Sequence, residues 1–135
     1  MRKFKKLLIY TASSILKRSE TKNIIKYLSR KTKNVEVYEL ESAQRNISNS
    51  NFDLIISIGG DGVFISASKF AFKKSLPILG INYGRLGFLA DLDKKDFQSK
   101  ISEILNGNYI IDKRTLLSGY VSTEKKDYKS IAVND

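Results

Sequence analysis

Asp53-Leu54-Ile55-Ile56-Ser57-Ile58-Gly59-Gly60-Asp61-Gly62-Val63-Phe64 is the stretch on which the fold turns. Its first six residues form a nearly unbroken apolar, β-branched run that stops at Gly59, the pattern of a central strand buried on both faces. Past the glycines, Val63, Phe64, Ala67, Phe70 and Ala71 recur at helical spacing as far as Lys73-Lys74. A helix is therefore predicted to begin at or just after the Gly59-Gly60-Asp61-Gly62 turn, and a strand, a tight turn and a helix open an α/β unit.

Working outward, Pro77 begins a second strand, Ile78 to Asn82, which runs into Gly80-Ile81-Asn82-Tyr83-Gly84-Arg85-Leu86-Gly87-Phe88. Six of the eight glycines fall between 59 and 87, which marks two loops whose backbones approach something closely. Downstream, Asp91 or Asp93 is expected to cap a helix carrying Phe97, Ile101, Ile104 and Leu105, with Gly107 at its C-terminal cap. Upstream, Lys6 to Tyr10 reads as a strand, Thr11 to Ser14 as a loop, and Ser19-Glu20-Thr21 as capping residues for a helix with Ile24, Ile25 and Leu28 on one face. Val35 to Leu40 alternates as a half-buried strand, and Glu41 to Asn51 is a loop or a weak helix. Residues 1–108 thus predict an N-terminal, Rossmann-like α/β domain, a parallel sheet with helices on both faces. From Tyr109 the helices stop. Tyr109 to Ile111, Arg114 to Leu117, Tyr120 to Ser122 and Tyr128 to Val133 read as the first strands of an all-β domain over 109–135, left incomplete at Asp135.

Composition limits the chemistry. The chain has no cysteine and no histidine, so carboxylates, hydroxyls, amides, Lys and Arg must serve. A metal would be a hard ion such as Mg²⁺, held by oxygen and by substrate phosphates. The net charge of +10 is spread along the sequence without an arginine cluster or aromatic interleaving, which favours a solvated lysine-rich surface over a nucleic-acid patch. Such a surface also suits a small anionic ligand. No apolar run approaches the roughly 20 residues of a membrane span, so no membrane partner and a cytoplasmic location are expected.

Both glycine loops leave strands at the carboxyl edge of the predicted sheet, where open α/β sheets bind ligands. Gly59 and Gly60 at a helix start suit a phosphate-binding turn. Asp61 opposes that reading, since its charge would repel a phosphate by about 4 kcal/mol at about 4 Å in an effective dielectric of about 20. The conflict resolves if the carboxylate engages a hydroxyl and accepts its proton beside bound phosphates. The alternative is that Asp61 is only an N-cap of the following helix, and the turn alone leaves both open. The P-loop pattern GxxxxGK[ST] and the dinucleotide pattern GxGxxG are both absent.

Gly59-Gly60-Asp61-Gly62 followed by Gly80-Ile81-Asn82-Tyr83-Gly84-Arg85-Leu86-Gly87-Phe88-Leu89 closely resembles the NAD kinases of bacterial type. The first element is shared with diacylglycerol-type lipid kinases and phosphofructokinases; the second is far more specific. Lys113 to Leu117 resembles that family's entry into its second domain, and Ile131-Ala132-Val133-Asn134-Asp135 resembles the start of its Asn-Glu/Asp motif. The resemblance implies ATP-dependent phosphorylation of the 2′-hydroxyl of the adenosine ribose of NAD, giving NADP, with a divalent metal such as Mg²⁺. It implies Asp61 as proton acceptor and NAD contact, Gly62 as a neighbouring NAD contact, Asn134 and Asp135 as the pair that holds NAD, and a homo-oligomer for the full-length protein. Val63 departs from the family's usual Thr, Ser66 stands where many relatives carry a larger polar residue, and Asp135 comes early in the second domain. Phe88 reads as core and Arg85 receives no role. Two alternatives are a non-catalytic nucleotide-binding or assembly module and a lipid kinase, the latter disfavoured by the second loop.

Overall fold

The apolar run before the first glycine turn forms a strand over Leu54–Gly59, all six residues buried, in a computed structural model that describes residues 2–41, 51–84, 87 and 89–133. Residues 42–50 of the expected loop or weak helix, Arg85, Leu86 and Phe88 of the second glycine loop, and the pair Asn134 and Asp135 lie outside the described residues. The strands of the first sheet are β1 (Lys6–Thr11), β2 (Asn34–Glu39), β3 (Leu54–Gly59), β4 (Ile78–Asn82) and β5 (Leu92–Asp93). They pair in parallel in the order β2-β1-β3-β4-β5, with β3 at the centre.

Period-two alternation divides the core between the faces of this sheet. Leu7, Ile9, Leu54, Ile56, Ile58 and Ile81 pack on one face against Ile24 and Leu28 of α2 (Ser19–Lys31) and Phe97, Ile101 and Leu105 of α4 (Phe97–Leu105). Leu8, Tyr10 and Ile55 pack on the other against Ala67 and Ala71 of α3 (Asp61–Lys74). Helices therefore cover both faces, as the sequence predicts. At the amino edge, the Asp53 carboxylate accepts the Lys5 and Lys6 N–H groups at 2.9 and 3.0 Å and pairs with Arg2. Burial acts to raise its pKa, but these donors and the guanidinium together hold it below the ordinary aspartate value.

Several expectations need correction. A four-residue helix, α1 (Ser13–Leu16), occupies part of the segment expected as a loop; the Glu41 carboxylate accepts from the Ser13 N–H and hydroxyl at 2.7 and 2.9 Å. α2 is preceded by Arg18 at the N-cap with no side-chain cap, so Ser19 lies inside the helix instead of capping it. Neither Asp91 nor Asp93 caps α4: Asp96 holds the N-cap, again without a side-chain bond, and Asp93 belongs to β5, which was not anticipated. β2 is an edge strand, half-covered at every residue but the exposed Val37, and the expected alternation is absent. Tyr109 to Leu116 forms no strand, while β6 (Leu117–Ser122) and β7 (Asp127–Ala132) make the antiparallel hairpin expected beyond it. Gly107, at φ +101°, follows the C-cap Asn106 as predicted.

Candidate functional site

The two glycine loops leave neighbouring strands at matched positions. Gly59 is in register with Asn82, and the Tyr83 N–H donates to the Gly59 carbonyl at 3.1 Å. Both loops thus start side by side at the carboxyl edge of the sheet.

Gly60 is the N-cap of α3, and its carbonyl accepts the first helical bonds, from Val63 and Phe64, each at 3.1 Å. Asp61 is consequently the first helical residue, not the cap, so the capping alternative for its carboxylate falls away. Its Oδ1 accepts the Leu89 N–H of the second loop at 3.2 Å. It stands at the amino end of a 14-residue helix, where the helix dipole favours negative charge.

The glycines of the first turn differ in purpose. A Cβ on Gly59 would lie 2.7 Å from Val63 Cγ2, so that position needs glycine for helix-on-strand packing. A Cβ on Gly60 or Gly62 would meet nothing within 4 Å, and neither residue has a positive φ. The fold itself makes no demand for glycine at 60 and 62, and the bare backbone there borders open space. Val63, in place of the family's Thr, uses its methyls against Gly59, and Ser66 shares a 3.0 Å hydrogen bond with the Tyr10 hydroxyl. Burial is the main reason that hydroxyl's pKa is raised.

Sequence reasoning missed two residues that hold the second loop. Asp91 lies beneath it: its Oδ2 accepts the Gly80 N–H at 2.8 Å, and its own N–H donates to the Gly80 carbonyl at 3.0 Å. Burial raises the Asp91 pKa, against the lowering effect of the Gly80 N–H and Arg114. Tyr83 is the other anchor. Its hydroxyl donates to Glu20, which also pairs with Lys94 at 3.2 Å, while Arg18 and Lys94 sit 5.1 and 4.7 Å from its ring centre. The Tyr83 hydroxyl first, and Lys94 second, lower the Glu20 pKa. No local sequence signal links positions 18, 20, 83 and 94.

A cavity of about 820 Å³ opens beside α3, with Phe64, Leu89, Asp91, Ile110, Leu117 and Ile131 in its lining. Leu89, whose N–H donates to Asp61, lines it, whereas Asp61 is not among its lining residues.

Set beside known proteins, residues 1–109 match the family model of the ATP-NAD kinase N-terminal domain. The chain belongs to the NAD kinase family. It is 44% identical over 84 residues to the NAD kinase of Legionella pneumophila (strain Corby), covering 62% of this chain and 28% of that protein. It is 37% identical over 108 residues to the NAD kinase of Chlorobium phaeobacteroides (strain BS1), covering 80% and 36%. The chain thus spans roughly a third of the length of these NAD kinases. Its fold is similar to that of yeast NADH kinase complexed with NADH, with a TM-score of 0.79 at 20% identity over 99% of this chain and 45% of that one. Family membership sets the chain apart from the lipid kinases that share the first turn.

Proposed function

We propose that this chain supplies the nucleotide-binding α/β part of an enzyme that transfers the γ-phosphoryl group of ATP to the adenosine ribose 2′-hydroxyl of NAD, and that Asp61 accepts the hydroxyl proton. The observation that carries this is the setting of Asp61: the first residue of α3, held by the Leu89 N–H, flanked by Gly60 and Gly62 facing open space. A hydroxyl can approach a carboxylate so placed, and the helix amino end and bare backbone tolerate adjacent phosphates. Gly59 contributes through packing, which leaves Gly60 and Gly62 as the backbone that would face the nucleotide. Asn134 and Asp135 enter as NAD-holding residues through the family resemblance alone.

A divalent ion such as Mg²⁺ belongs to the proposal as a companion of the donor's phosphates. Among the described residues no three of His, Cys, Asp and Glu gather where they could hold a metal. When bound between phosphates, the ion would neutralise their charge; the proton transfer assigned to Asp61 is separate from it.

Division of the chain near residue 108 is supported by the change from parallel sheet to antiparallel hairpin. A cytoplasmic location and self-association complete the proposal. Among the described residues no helix is long and apolar enough to cross a membrane. The second reading, a nucleotide-binding or assembly module without turnover, draws on the exposed apolar side chains of the hairpin, Leu117, Tyr120, Val121 and Tyr128.

Incubation with ATP, Mg²⁺ and NAD should yield NADP, and Asp61→Asn should abolish the product with little change in melting temperature. Undiminished NADP formation by the Asn variant refutes the assignment of Asp61. NADP formed by the unaltered chain eliminates the module.

A further inference from the structure

Gly84 and Gly87 lie in one loop, but the space around them differs. Gly84 has φ +122° and open space where a Cβ would be, so its conformation explains it. At Gly87 it is space that counts: a Cβ there would collide with Asp61 Oδ1 and lie 3.1 Å from Asp61 Cγ. Two residues on, the Leu89 N–H donates to the same Oδ1. The described residues on either side of these groups are tied to the sheet. Before them the Tyr83 N–H donates to the Gly59 carbonyl, and after them two bonds of 2.8 and 3.0 Å join Asp91 to Gly80.

We propose that Gly87 and Leu89 position Asp61: the Leu89 N–H holds Oδ1, and the missing side chain of Gly87 leaves the carboxylate its place. Gly87 is thus a positioning residue, and Asp91 sustains this clamp from beneath. The catalytic consequence rests on Asp61 being the proton acceptor proposed above, whereas the clamp itself stands on geometry. A carboxylate held from a neighbouring loop keeps one orientation before the hydroxyl arrives, and displacement by about 1 Å can lower a rate roughly a hundredfold.

A thermal double-mutant cycle tests the clamp without any assay of activity. Gly87→Ala should lower Tm by about 3 °C or more when Asp61 is present, and by less than about 1 °C in an Asp61→Ala background, where the collision is gone. An equal loss in both backgrounds overturns the clamp. The Leu89 amide resonance gives a second reading that needs no change at Gly87, and so decides the matter even if Gly87→Ala does not fold. It should move upfield in Asp61→Ala and keep part of its shift in Asp61→Asn; a resonance indifferent to both overturns the hydrogen bond. For catalysis, Gly87→Ala should reduce kcat for NADP formation about tenfold or more while KM for ATP stays within about twofold. An unchanged kcat refutes the positioning role. Absence of NADP from the unaltered chain counts against the kinase reading alone, since the thermal cycle and the amide still decide the clamp.

Discussion

Asp91 shows how one carboxylate can hold a loop and still weigh against the fold. Burial raises its pKa although the Gly80 N–H and Arg114 favour the charged form. The sign follows from linkage: between its unfolded and folded pKa values the folded chain binds more protons, so stability falls as pH rises through that window and the cost persists above it. Asn at this position keeps an acceptor for the Gly80 N–H and removes the buried charge. Asp91→Asn is therefore expected to melt at or above the temperature of the unaltered chain at pH 7, with the difference closing as pH drops below the ordinary aspartate range. Melting curves across pH check this, and a clear loss at pH 7 would mean that the charge itself, through Arg114, holds the loop.

The glycine turn before α3 separates packing from ligand approach within four residues. Gly59→Ala should cost about 1 to 3 kcal/mol because its Cβ meets Val63, and Val63→Ala in the same chain should restore part of that loss. Gly60→Ala and Gly62→Ala should leave the melting temperature unchanged or higher while weakening nucleotide binding, as calorimetric titration with NAD and ATP would reveal. Retained affinity in both would remove these positions from the nucleotide surface. The strand, turn and helix around Asp61 were legible because hydrophobic period and glycine chemistry are local signals. The role of Asp91 was not, because its partner Gly80 lies 11 residues away across a loop. α1 and β5, of four and two residues, are too short for a period to register. Tyr109 to Ile111 has strand-like composition, but composition supplies no pairing partner, and the segment stays unpaired.

Across the whole molecule, burial is concentrated in the five-stranded sheet and its helices, while the hairpin keeps Leu117, Tyr120 and Val121 at 70%, 64% and 59% exposure. A two-stranded sheet with so little cover is marginal in water. Amides of β6 and β7 should therefore exchange with solvent about a hundredfold or more faster than those of β1, β3 and β4. Hydrogen-exchange mass spectrometry measures this directly, and equal protection would show that the hairpin is stabilised as strongly as the core. Helix placement was readable in advance for both faces of the sheet, but the clustering of Arg18, Glu20, Tyr83 and Lys94 depended on how the whole sheet folds. The meeting of Asp61 and Gly87 reaches beyond a single molecule, to inheritance. A lineage that gives up the Asp61 carboxylate also frees position 87, so related chains should drift at both sites together. A side chain at 87 would then mark a chain without the carboxylate at 61, readable from a genome.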